Sequence, residues 1–200
     1  MFIVLADTEL ELVPERMRDD REVIDLLKRM GKETAILDNY LMRDSIKRHF
    51  PNEVRRIGFP NIAYEFVRLN EESPLNDSIE LEYAIHTKNN TIIEKSDLRN
   101  FGGGYPEFVE RVERILIERE KRMSLMDYLE SEGIIGSAVV LHPKGNPGLV
   151  IDDQSNLIIG GFPNGDFVSN VGSLRKFSIY EKEISVPGVL ELIHFRLFQT

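Results

Sequence analysis

The chain has 200 residues, 42% hydrophobic and 30% charged, a balance that supplies a buried core and suits one domain carrying an insertion. The absence of cysteine excludes a disulfide framework, thiol catalysis and cysteine-based zinc sites; no apolar run approaches bilayer length, and the short opening strand lacks the basic lead of a signal peptide, so a cytoplasmic protein is expected. A net charge of −9 argues against non-specific nucleic-acid binding but leaves room for a local basic patch.

In chain order, residues 2–6 read as a short buried strand. Residues 14–30 carry Val23, Ile24, Leu26, Leu27 and Met30 at helical spacing, with Gly31 as the stop. Residues 34–37 read as a second strand, and 40–49 as a helix ended by Pro51. Pro60 opens a further helix running from 61 to 69. Alternation over 79–86 and 91–94, around the turn Asn89-Asn90, predicts a β-hairpin. A flexible loop over 100–106 precedes a helix over 106–121, whose Phe108, Val112, Ile115 and Leu116 share one face. Its interleaved arginines and glutamates, Arg111, Arg114 and Arg122 with Glu110, Glu113 and Glu118, read as a solvated, ion-paired face. Ser124 caps a helix stopped by Gly133. Residues 137–141 read as a buried strand, 176–180 as another, and 187–198 as an apolar final helix. Strands alternating with helices predict an α/β fold, a mainly parallel sheet with helices on both faces.

The most informative stretch is Leu157-Ile158-Ile159-Gly160-Gly161-Phe162-Pro163-Asn164-Gly165-Asp166-Phe167. An apolar strand runs into two glycines, a Pro-Asn-Gly turn and an acid. It reads equally as a loop that lets backbone approach a flat ligand at a strand end and as a tight turn with no ligand. The four histidines, 49, 86, 142 and 194, lack metal-ligand spacing, and no metal is expected. His86 and His194 read as structural. The final helix leaves Leu192, Phe195 and Phe198 beyond what one buried face needs, which a second subunit would cover.

Several segments together resemble one family. Val139-Val140-Leu141-His142-Pro143-Lys144-Gly145, the segment from Ile159 to Asp166, and Phe177-Ser178-Ile179-Tyr180-Glu181 with Ile184-Ser185-Val186-Pro187 follow in order near the C-terminus. Ala6-Asp7-Thr8-Glu9-Leu10-Glu11-Leu12-Val13-Pro14, Glu72-Ser73-Pro74-Leu75-Asn76 and Ile85-His86-Thr87 complete the pattern. These resemble the Nep1 (Emg1) family of ribosome-biogenesis methyltransferases, archaeal-type members in particular. The resemblance implies a C-terminal trefoil-knotted fold of the SPOUT class over residues 1–200, with a β-hairpin and helix insertion around 77–110. It implies a homodimer that transfers a methyl group from S-adenosylmethionine to N1 of a pseudouridine in a stem-loop of small-subunit ribosomal RNA.

Carried over by motif, the cofactor contacts fall on Leu141, His142 and Pro143, on Gly160, Gly161, Phe162, Pro163 and Gly165, and on Ser178, Ile179, Tyr180, Ile184 and Val186. The family's Arg-Pro-Asp segment corresponds to Phe59-Pro60-Asn61, so both charged residues are missing. Asn61 remains a hydrogen-bonding candidate but not a carboxylate base, and Asp166 is a second catalytic candidate. Arg55, Arg56 and Arg99 are candidate RNA contacts, with Tyr105 and Phe101 as stacking candidates. The alternative reading is an RNA-binding ribosome-assembly factor of the same fold with reduced or lost catalysis.

Overall fold

In a computed structural model, which describes residues 1–99 and 103–198, the chain folds as β1 (Phe2–Thr8), α1 (Arg21–Met30), α2 (Arg43–His49), α3 (Pro60–Glu71), β2 (Glu82–Thr87), β3 (Ile92–Glu94), α4 (Tyr105–Glu118), α5 (Leu125–Ser131), β4 (Val139–Asn146), β5 (Asn156–Gly160), β6 (Arg175–Phe177) and α6 (Val186–Leu197). The six strands form one sheet in the order β3-β2-β1-β5-β4-β6. Every pairing is parallel except the predicted β2–β3 hairpin. β1 lies inside the sheet, with Val4 opposite Ala84 on one side and Ile158 on the other. That position explains why Ile3, Val4, Leu5 and Ala6 are apolar without alternation: both faces of the strand are covered.

The two-residue period of each strand divides the core. Ile3, Leu5, Ile85, Leu157 and Ile159 pack with Phe66 and Val67 of α3, Phe108 and Val112 of α4, and Leu190 and Ile193 of α6. Val4, Ala84, Val140 and Ile158 pack on the other face with Leu125, Tyr128 and Leu129 of α5. A third cluster joins Val23 and Leu27 of α1 to Ile46 of α2 and to Leu37, Met42 and Ile57. Helix ends follow the sequence signals. Ser124 and Ser185 accept backbone N–H bonds at the starts of α5 and α6, Pro60 occupies the first turn of α3, and Gly31 ends α1 at φ 66°.

Some predicted elements come out differently. Residues 34–37 make no sheet strand; Ile36 forms an isolated antiparallel bridge with Leu12. The apolar run there is real, but its backbone bonds go to Glu11 and Val13 instead of a sheet strand; Ala35 and Leu37 pack in the third cluster and Ile36 in the first. The helix read over 14–30 breaks in two, because Asp20 caps α1 by accepting from the Glu22 amide. The helix read over 40–49 starts only at Arg43, since Asp38 Oδ1 draws the Tyr40 amide into a turn at 2.8 Å. The strand read over 176–180 stops at Phe177, where Ser178 Oγ turns to donate to the Tyr180 carbonyl.

The charged face of α4 is also not wholly solvated. Glu113 is buried; its Oε1 accepts from the Ile36 amide at 2.9 Å, and Oε2 pairs with Lys32. It tethers the 32–36 segment to α4. Glu113→Ala should cost about 2 kcal/mol by stranding a buried amide, whereas Glu113→Gln, which retains the acceptor, should cost under about 1 kcal/mol. Urea midpoints of the two variants measure this; equal midpoints would remove the tether from the account.

Candidate functional site

The carboxyl ends of β4, β5 and β6 open into one cavity of about 600 Å³. Open α/β sheets bind ligands at this end of the strands. Three loops and the start of α3 build its wall. β4 contributes Leu141, His142 and Pro143; the chain after β5 contributes Phe162, Pro163, Gly165 and Asp166. Past β6 come Ile179, Tyr180, Ile184 and Val186, and α3 supplies Asn61, Ile62 and Glu65, preceded by Phe59. The lining is mainly apolar with a few polar groups, the usual character of a small-molecule site.

Two polar features stand out. Asn61 Oδ1 is buried with no hydrogen-bond partner among the described residues, which leaves its acceptor capacity unused there. Asp166 Oδ1 lies 3.4 Å from His142 Nε2. The Phe167 amide, then His142 and Lys176, hold the Asp166 carboxyl below the usual carboxylate range against some burial.

The 162–169 loop is fastened at two points, both rooted in the tip of β1. At one, Asp7 Oδ2 accepts from the amides of Val168 and Ser169 at 2.8 and 2.9 Å, and Oδ1 accepts from Ser169 Oγ at 2.6 Å. Asp7 is buried beside His86 and has φ 55°, a left-handed conformation that aspartate tolerates better than most residues. Burial alone pushes its carboxyl up, but the contacts from His86, Ser169 and Val168 outweigh this and hold it low. At the other point, Arg56 Nε donates to buried Glu9 at 2.7 Å, and Nη1 donates to the carbonyls of Asn164 and Asp166 at 3.3 and 3.0 Å. Its guanidinium lies 4.6 Å from the centre of the Phe162 ring. Gly165 is required here: its φ is 97°, and a Cβ would come within 2.5 Å of Arg56 Nη1. Asn164 Nδ2 closes the clamp by donating to the Arg55 carbonyl at 2.7 Å.

The sequence-predicted residues divide accordingly. Asn61, Asp166 and every cofactor candidate except Gly161 and Ser178 line the cavity. Gly161 instead donates its amide to the Ala6 carbonyl at 2.7 Å, and a Cβ there would strike Thr8 and Leu5. Ser178 shapes the loop from behind through bonds to Asn146 and Tyr180. Arg55 and Arg99 are exposed. Arg56 departs from the expected RNA contact, because its side chain is folded into the loop clamp with 21% exposure. Tyr105 is less available than expected: its hydroxyl donates to Asp38 at 3.0 Å, and its ring meets Tyr64 edge-on. Phe101 lies outside the described residues. Asp7 is absent from the predicted site and Arg56 is assigned there to RNA; their anchoring roles escape because the loop groups they hold lie more than a hundred positions away along the chain.

A family model described as EMG1/NEP1 methyltransferase matches residues 3–195. The chain belongs to this family. Its relatives include the ribosomal RNA small subunit methyltransferase Nep1 of Thermoplasma acidophilum, 33% identical over 94% of this chain and 93% of that protein. The Nep1 of Thermoplasma volcanium is 34% identical over 96% of this chain and 95% of its own. Among solved structures, Archaeoglobus fulgidus Nep1 bound to S-adenosylhomocysteine matches with a TM-score of 0.81 at 22% identity, covering 98% of this chain and 96% of that one. The likeness establishes that the chain shares the α/β fold of that Nep1 structure. Phe59 and Asn61, which the resemblance sets where the family carries an Arg and an Asp, both line the cavity.

Proposed function

We infer that this protein is an S-adenosylmethionine-dependent methyltransferase of small-subunit ribosomal RNA. The observation that carries this is the cavity at the carboxyl ends of β4, β5 and β6, in a chain of the EMG1/NEP1 family. Its size and lining fit the cofactor: Leu141, Ile179, Ile184 and Val186 offer apolar surface to an adenine ring, and exposed backbone of the turns offers donors and acceptors to its edge. The neighbouring carboxylates Asp166 and Glu183 and the ammonium of Lys182 suit the charged methionine end.

The cofactor supplies a methyl group already activated on a sulfonium. The protein's task is to hold a nucleophilic nitrogen in line with it and to exclude competing water. We take N1 of a pseudouridine as that nitrogen. Asn61 Oδ1, the unused acceptor, orients the base by receiving an N–H bond. A new N–CH₃ bond forms as the S–CH₃ bond breaks, and the N1 proton leaves to solvent, because an amide does not take it. Exposed Arg55 and Arg99 supply phosphate contacts. Residues 1–200 act as one methyltransferase domain in the cytoplasm, and α6, which leaves Phe195 and the adjoining Phe198 each 58% exposed, supplies the homodimer contact.

The first test is calorimetric titration with S-adenosylmethionine and S-adenosylhomocysteine, with ATP and NAD as controls. Selective binding at micromolar Kd, about −8 kcal/mol, followed by methyl incorporation into a pseudouridine stem-loop but not its uridine counterpart, is the expected result. Absence of cofactor binding would overturn the reading. Cofactor and RNA binding without turnover would instead favour an assembly factor of the same fold, the reading that Phe59 and Asn61 favour.

A further inference from the structure

Tyr40 is 76% exposed and its neighbour Leu41 52% exposed, an unusual display of apolar surface in a turn. The turn is nonetheless firmly built. Asn39 donates its amide to the Gly58 carbonyl at 2.7 Å, and its Nδ2 donates to the carbonyls of Val54 and Ile57 at 2.8 and 3.0 Å. Asp38 accepts from the Tyr40 amide on one oxygen and from Tyr105 on the other. Gly58 holds φ 74° against Asn39, where a Cβ would approach Asn39 N to 2.9 Å. Backbone rigidity at this level serves to present a side chain in a fixed place.

What Tyr40 is presented to is set by its neighbours. Its ring meets Phe59 edge-to-face, with centroids 6.4 Å apart at 82°. Phe59 lines the cavity, and Asn61, two residues on, carries the unpartnered acceptor. The laced segment also carries exposed Arg55. An exposed aromatic ring packed on a cavity-lining ring, and a cation whose carbonyl holds the cavity residue Asn164, match an unpaired nucleotide: its base stacks, its edge is read, its phosphate is paired. We propose that Tyr40, buttressed by Phe59, is the stacking platform that receives an unpaired base of the RNA substrate at the mouth of the cavity. The proposal rests on the function inferred above.

The chain contains no tryptophan, so Tyr40→Trp installs a single reporter. Titration with a pseudouridine stem-loop should quench it saturably. Tyr40→Ala should weaken RNA binding about 5- to 150-fold, Tyr40→Phe should hold it within about twofold of wild type, and both should bind S-adenosylhomocysteine as wild type does. RNA affinity of Tyr40→Ala equal to wild type, or an unquenched reporter with RNA bound, would overturn the platform. So would sedimentation showing that Tyr40→Ala dissociates a dimer, which would assign the ring to a subunit contact. Failure of the wild-type protein to bind RNA at all would instead overturn the function on which the proposal stands.

Discussion

Arg56→Ala raises the Kd for S-adenosylhomocysteine about 30-fold and leaves RNA affinity nearly unchanged: that is the expected result of removing the loop clamp. Arg56 gives a charge-assisted bond to buried Glu9 and two bonds to loop carbonyls, and lies over Phe162. Bonds to charged groups are each worth about 1.5–3 kcal/mol. Glu9 is not left uncompensated, because Lys88 Nζ stays 2.6 Å away. The net loss is therefore set at about 2 kcal/mol, which is about 30-fold in affinity. Arg56→Lys should fall between, since a point charge restores the Glu9 pair but cannot fork to Asn164 and Asp166 together. Arg55→Ala is the contrasting variant, with weaker RNA binding and unaltered cofactor binding. Calorimetry on the three variants decides; an Arg56→Ala protein with intact cofactor affinity and weak RNA binding would return Arg56 to the RNA surface.

The second large effect is expected at Asp7. Asp7→Ala removes the acceptors for two loop amides and one hydroxyl in a site that is 1% exposed. It also places alanine at φ 55°. Together these should cost about 3–4 kcal/mol. Asp7→Asn keeps an acceptor and tolerates the left-handed conformation, so about 1 kcal/mol is expected. The two differ further in their response to acid. The native Asp7 carboxyl holds its proton less tightly than an unfolded one. Its contribution is thus fully present above the unfolded value of about 3.9 and is lost as pH falls through the lower native value. Asp7→Asn should flatten the decline in stability below about pH 4. Denaturant midpoints across pH 2.5–7 measure it; an acid limb as steep as wild type would place the titration elsewhere.

What could be read in the sequence was local. The Asn89-Asn90 hairpin, the Ser124 cap, the Gly31 stop and the glycine-bearing strand ends each carry their signal within a few residues, and each is found in the structure. Residues 34–37 show the limit of this: a buried apolar run looks the same whether its backbone pairs with a sheet strand or, as here, with the short segment over 11–13. Arg56 shows the limit more sharply. Beside Arg55 it looks like half of a basic patch, and only the approach of Glu9 and the 164–166 carbonyls reveals a clamp. Glu113 likewise sits among alternating charges that suggest solvent, yet is buried and accepts from the Ile36 amide, 77 positions earlier in the chain. The cavity itself followed from motif resemblance, not from periodicity.

The central place of β1 governs the order in which the protein can be made. Phe2 registers with Glu82 on one side and with Asn156 on the other. During synthesis β1 therefore waits for β5, roughly 150 residues and about 8–30 s later at about 5–20 residues per second. Until then Ile3, Val4 and Leu5, which end at no more than 1% exposure, have at most one of their two neighbours to pair with. The nascent chain thus carries an open, sticky edge until β5 emerges, and the closing event brings β5 to the strand whose tip, through Asp7 and Glu9, fastens the cavity loop. Closure of the sheet and anchoring of the cavity loop draw on the same strand.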